Sequence, residues 1–175
     1  MFAFFIQTSA IGAQAFLIRE YRGVGTALFG NLCLAVGFFL SLMRNALPAF
    51  ASIVFGNTLI IIGPTLFYIA ISRFTNQKYN IRLALALISA VAVCTIYFRY
   101  VVDNIAVRII AISLGGAISV GMISYKLWQA RNTTYRFSVK LTLIPFVAYG
   151  WLLLLRVAAT IISPPQKIFT NTPVE

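Results

Sequence analysis

The chain has no histidine and only three acids, Glu20, Asp103 and Glu175, among its 175 residues. Those shortages remove most enzyme chemistry at once. Zinc and haem centres draw on histidine or clustered cysteine, and the two cysteines, Cys33 and Cys94, stand singly inside apolar segments. They read as small buried apolar residues rather than as ligands or halves of a disulfide. General acid–base catalysis wants paired carboxylates or a histidine, and a serine or cysteine nucleophile wants a base beside it; neither set can be assembled. No glycine loop of the phosphate-cradling kind occurs. The expectation is a chain that is not itself an enzyme, with no catalytic residues, no metal and no cofactor.

Charge of either sign is scarce. Charged residues make up 10% of the chain and apolar ones 61%, with a mean hydropathy of +0.92, whereas an ordinary soluble domain is about 25% charged and about 45–50% apolar. Lipid must therefore supply much of the solvent. The 14 Lys and Arg leave a net charge of +11, which in a soluble protein would point to nucleic acid. Here the basic residues fall mostly between apolar runs, where membrane topology places them, so no nucleic-acid partner is expected and the lipid bilayer is.

Crossing about 30 Å of hydrocarbon takes roughly 20 apolar residues, and at least about 17. Six runs reach that length or come within a residue of it: 2–18, 25–43, 50–71, 83–98, 105–125 and 141–162. The first is short, but it is not read as a cleaved signal peptide, because its charges (Arg19, Glu20, Arg22) follow the apolar run instead of preceding it. Ser163, Pro164 and Pro165 end the last run, since proline lacks an N–H and fixes φ, and 163–175 reads as an exposed tail. Long uniform runs do not fit the alternating segments of a β-barrel. The expected fold is all-α, one polytopic membrane domain built as a six-helix transmembrane bundle. Loops after the odd runs hold nine Lys and Arg, against five on the opposite side. The positive-inside bias then puts the N-terminus outside, in a bacterial cytoplasmic (inner) membrane.

Polar residues inside membrane segments are functional candidates by default. Asn31 and Asn57 lie within the second and third runs; an interhelical hydrogen bond is the plainer reading and a ligand contact the sharper one. Pro64 and Pro145 should each interrupt a helical ladder and permit a kink, static or hinge-like. Gly115 and Ser119, four apart, allow close helix packing, inside the bundle or across a homodimer seam. Arg44, Arg99, Arg108 and Arg156 gather on the outer side, and Asp103 can pair with Arg99 at i, i+4 or with Arg108 across the turn. One acid cannot satisfy four arginines. An outward-facing pocket for a small anion follows, with Arg44, Arg108 and Arg156 as its main contacts and Asn57 beside them; lipid headgroups and backbone carbonyls are the competing partners.

The order Gly30-Asn31, Gly37, Arg44, Leu47-Pro48, Ser52-Ile53-Val54, Asn57, Gly63, Arg73-Phe74 continues with Tyr97-Phe98, Arg108-Ile109, Ser113, Arg156, Ser163-Pro164-Pro165 and Phe169. It resembles the N-terminal membrane domain of many bacterial GGDEF-type diguanylate cyclases. The resemblance implies a sensor or input domain whose seventh helix leads to a cytoplasmic domain that joins two GTP molecules into cyclic di-GMP. The chain departs from that pattern by stopping at Glu175, before a seventh helix, and by lacking the Gly-Gly-Asp/Glu-Glu-Phe signature. A sensor domain cut from, or remaining from, such an enzyme is the expectation, with a fused or separate GGDEF output domain as partner. Two other readings stand beside it: a small transporter or permease subunit, disfavoured by the lack of acids and histidines in the spans, and a structural or assembly membrane protein.

Overall fold

The computed structural model describes residues 23–48, 50–132 and 136–164. The first expected span, 2–18, lies outside them, as do residues 165–175 of the expected tail. What is described is all-helical, 88% helix without strands, and contains five helices long and apolar enough to cross a membrane. Helix α1 spans Val24–Leu42 and ends in a 3₁₀ turn, Met43–Asn45. A π-helical turn, Phe50–Phe55, runs into α2, Gly56–Phe74. Then come α3, Ile81–Tyr100, and α4, Ile105–Gln129, closed by a 3₁₀ turn at Ala130–Asn132. The last is α5, Arg136–Ile162.

These helices form because each holds an 18-residue stretch of mean hydropathy between 1.8 and 2.1, and a backbone out of water must satisfy its own polar groups. Their ends are written in polar residues. The Asn80 side chain accepts from the N–H groups of Arg82 and Leu83 at 3.1 and 3.2 Å, starting α3, and Asn104 accepts from Val107 N–H at 3.2 Å, starting α4. Helix α2 stops where Asn76 takes a left-handed φ of 53°, with Gln77 N–H bonded to Ser72 O at 2.8 Å and Asn76 N–H to Arg73 O at 3.2 Å. That pair of bonds is a Schellman closure.

Several helices outrun their apolar stretches. Expected limits of 83–98, 105–125 and 141–162 become Ile81–Tyr100, Ile105–Gln129 and Arg136–Ile162. Arg82, Arg99, Lys126 and Lys140 are thus helical rather than loop residues. Long basic side chains lay an apolar stem along the helix and hold their charge beyond it, so charge marks where hydrocarbon ends and not where the helix does.

The helices run alternately up and down. α2 is the central element, packed against α1, α3 and α4, while α5 packs against α4 and the turn that follows it. The buried share of the apolar stretch falls from 56% in α2 to 6% in α5, so α5 needs an apolar surrounding on most of its surface. The closest seam joins α1 to α2 through two glycine pairs, Gly30 with Gly63 and Gly37 with Gly56. A Cβ on Gly30 would lie 2.9 Å from Gly63 O, and one on Gly37 2.9 Å from Gly56 O. Each pair is seven residues from the other on both helices, in opposite senses, as an antiparallel crossing requires. Gly115 and Ser119 face the interior, where α4 meets α3 and α2. A Cβ on Gly115 would stand 2.6 Å from Val91 Cγ2, and Ser119 Oγ is 3.5 Å from Thr65 Oγ1. This stripe is covered within one chain and offers no seam to a second copy, which corrects the homodimer alternative for these two residues.

Several buried or half-buried hydroxyls bond one turn back along their own helix. Thr58, Thr65 and Ser72, spaced by seven on α2, donate to Val54, Ile61 and Tyr68 carbonyls, each at 2.8 Å. In an apolar medium this satisfies a group that has no water. α2 runs on through Pro64 and α5 through Pro145, so neither proline ends its helix. Away from the end that holds Arg44, Arg99, Arg108 and Arg156, a packed cluster of Tyr68, Ile69, Ile123, Leu127, Ala130 and Val139 ties α2, α4 and α5 together.

Candidate functional site

Four helices bring one face each to a single cavity of about 430 Å³. The spacing along each helix shows why these residues meet. Phe38, Ser41 and Arg44 come from α1 and its closing turn at intervals of three, and Asn57, Ile60, Ile61 and Pro64 from the first half of α2 at three, one and three. Arg108, Ile109, Ile112 and Gly116 on α4, and Tyr149, Leu153 and Arg156 on α5, follow the same three-and-four rule. Such intervals place side chains on one side of a helix. Arg99, at the end of α3, completes the rim.

All four candidate contacts, Arg44, Asn57, Arg108 and Arg156, line this cavity, and so does Pro64. Pro145 and the pair Gly115 and Ser119 do not, although Gly116 beside them does. Asn31 is buried in α1 away from the cavity. Three polar lining residues lie outside the candidate set: Arg99, Ser41 and Tyr149. A signal for two of them was present, since Ser41 precedes Arg44 by three and Tyr149 precedes Arg156 by seven. Arg99 stands among the four outer arginines of the sequence, as one of two alternative partners for Asp103, but not among the expected ligand contacts.

The charges are lopsided. Asp103 Oδ1 accepts from Arg108 at 3.2 Å and from Arg99 at 3.4 Å, so both expected pairings form on one oxygen. Arg44 and Arg156 have no ion-pair partner among the described residues, and four guanidiniums face one carboxylate. Arg44 and Arg99 both sit close enough to act on the charge of Arg108. Arg108 is the deepest of the set, only 7% exposed, and its Nε–H has no hydrogen-bond partner; neither has the buried Ser41 Oγ. Leaving a buried donor unsatisfied costs about 1–3 kcal/mol, more for a charged group. An anion entering the cavity would meet several charge-assisted donors and relieve both deficits.

The cavity is closed at its inner end. Beyond Gly116, Ser119 and Thr65 are buried against each other, followed by Ile123, which is fully buried, and Tyr68. The site is therefore one-ended. No group of three His, Cys, Asp or Glu side chains that could hold a metal occurs among the described residues. Comparison with known proteins finds no matching family model, no matching curated protein and no matching solved structure.

Proposed function

We propose that this chain is a membrane-embedded sensory input module that binds an anion at its outer face and reports occupancy by rearranging helices. The observation that carries the reading is the convergence of arginines from α1, α3, α4 and α5, or the turns at their ends, on one cavity with a single carboxylate among them. Elements that hold like charges together are poised to draw closer when a counter-charge arrives. Arg156 on α5 and Arg44 after α1 line one cavity from helices that are not packed together, so a shared anion would pull α5 toward α1.

Orientation follows from the basic residues. Arg73, Lys78, Arg82, Lys126, Arg131 and Lys140 crowd the end opposite the cavity, and the positive-inside bias assigns that end to the cytoplasm of a bacterial inner membrane. The cavity then opens outward. The order of motifs resembling the membrane domains of GGDEF-type diguanylate cyclases supports a cyclic-di-GMP output, fused or separate, as the recipient of the signal. The sealed inner end speaks against the transporter alternative, which would need a path past Ser119 and Ile123.

The test is ligand-induced stabilisation of the purified protein in nanodiscs, across a panel of anions with and without apolar tails. Saturating a one-site ligand at a hundred times its Kd contributes about 2.7 kcal/mol, which is several degrees in Tm for a chain of this size. An anion that stabilises the wild type and fails to stabilise the double variant Arg108→Gln/Arg156→Gln is the expected result. Equal stabilisation of both proteins, or no response to any anion, would overturn the reading.

A further inference from the structure

We infer that the ligand of this site is an amphiphile with a single anionic head, carboxylate or phosphate, on an apolar tail, and that it enters sideways from the bilayer between α1 and α5. The inference rests on the proposed anion site and narrows its ligand class. Three observations carry it.

The cavity is chemically two-ended. Arg44, Arg99 and Arg156 stand at its rim with Arg108 deeper, whereas Ile53, Ile60, Ile112 and Leu153 line the rest. A small hydrophilic anion would use the guanidiniums and leave the isoleucines facing empty or wet space, which apolar walls disfavour. A head-and-tail molecule satisfies both regions, and about 430 Å³ falls in the usual range for a small-molecule site.

One side of the cavity has, among the described residues, no helix-to-helix contact closing it. Among the described residues, α1 and α5 approach within 8 Å Cα–Cα at no point, although both contribute to the cavity. The cavity-bearing halves of these helices carry exposed Phe39 and Leu42 on α1 and exposed Trp151, Leu152 and Leu155 on α5. An apolar tail can pass between such surfaces without losing its apolar surroundings, and a hydrated ion cannot.

The head has a built receptor. Arg108 is more than nine-tenths buried, donates to Asp103 through one terminal nitrogen, and leaves its Nε–H without a partner, as is also true of Ser41 Oγ across the cavity. A guanidinium with a free donor edge at the depth a lipid head or carboxylate can reach is the natural terminus for such a molecule.

The experiment uses the whole chain in phosphatidylcholine nanodiscs and follows Tm against added dodecanoate, dodecanol, acetate and inorganic phosphate. Dodecanoate should stabilise saturably. Dodecanol, which shares its tail but has no charge, should not, and acetate and phosphate should need at least tenfold higher aqueous concentration. Arg156→Gln, a change at an exposed position that spares the folded core, should weaken the dodecanoate response about tenfold or more. Acetate or phosphate matching dodecanoate would overturn this inference and leave the anion site standing; silence from every anion would remove both. Repeating the titration in nanodiscs containing phosphatidylglycerol separates the sources. If the anionic lipid itself raises Tm and abolishes the dodecanoate response in the wild type but not in Arg156→Gln, a bilayer lipid is the occupant. If dodecanoate still acts, the occupant is a free amphiphile. Stabilisation by dodecanol equal to that by dodecanoate would show bulk partitioning and overturn the inference.

Discussion

The glycine seam between α1 and α2 makes a prediction whose sign can be worked out. Replacing Gly37 by alanine would put a methyl 2.9 Å from Gly56 O, 2.9 Å from Ile60 Cγ1 and 3.1 Å from Ile60 N. Two of those neighbours are backbone and cannot turn aside, so the helices must separate. Overpacking of this kind costs about 1–3 kcal/mol, while glycine to alanine inside a helix returns about 0.5–1 kcal/mol. The net expectation is a loss of roughly 0.5–2 kcal/mol. Gly121 supplies the control, because a Cβ there meets nothing within 4 Å. Gly121→Ala should therefore stabilise by about 0.5–1 kcal/mol. Helix propensity cancels between the two variants, which leaves the seam alone as a difference of about 1–3 kcal/mol. Reversible unfolding in mixed detergent micelles, followed by far-ultraviolet circular dichroism, measures both. If Gly37→Ala is as stable as Gly121→Ala, the α1–α2 contact is not as close as described and the reasoning fails.

Two further outcomes follow from single side chains. Asp103→Asn removes the one carboxylate among the described residues that competes for Arg99 and Arg108; the pair with half-exposed Arg99 is worth up to about 1 kcal/mol and the bond to buried Arg108 about 1.5–3 kcal/mol, so anion affinity, read from the same Tm titration, should rise about fivefold or more, and a fall would show that Asp103 holds the arginines in place instead. Asn80→Ala strips the first turn of α3 of its two side-chain hydrogen bonds and should lower stability by about 1 kcal/mol, with hydrogen exchange accelerated at Arg82 and Leu83; unchanged exchange at both would count against the cap.

What could be read from the sequence and what could not divide along physical lines. Span positions depend on hydropathy summed over many residues, so five of the six expected runs meet a helix even though Arg82, Arg99, Lys126 and Lys140 lie inside helices and not between them. Gathering Arg44, Arg108 and Arg156 was legible because topology alone puts them at one end of the bundle. Ser41 and Tyr149 were legible only in part: their spacing puts them on the helix faces of Arg44 and Arg156, but which face meets the cavity depends on how each helix is rotated about its axis, and rotation is set by packing partners. The pairing of Gly30 with Gly63 and Gly37 with Gly56 illustrates the same limit. The spacing of seven stands in the sequence twice, but it becomes a seam only once α1 and α2 are known to cross antiparallel at that register. Gly115 and Ser119 carried two readings for the same reason, and the proximity of Val91 and Thr65 decides between them.

The attachment of α5 gives the molecule a mechanical asymmetry. Its start is clamped, with Val139 in the buried cluster and Leu143 and Phe146 packed against it. Its far half carries Tyr149, Leu153 and Arg156 to the cavity and has only Leu153 and Thr160 buried. The helix is a cantilever, fixed at one end and loaded at the other by a charge. Pro145 stands at the edge of the clamp, between Leu143 and the loaded arm, at a point where the backbone lacks one hydrogen bond and bends most readily. A few tenths of a radian of flexure there would carry Arg156 by several ångströms, since about eleven residues of helix at 1.5 Å each form the lever. Small forces at the tip would be felt at the root, next to the turn that closes α4, at the end of the bundle farthest from the cavity.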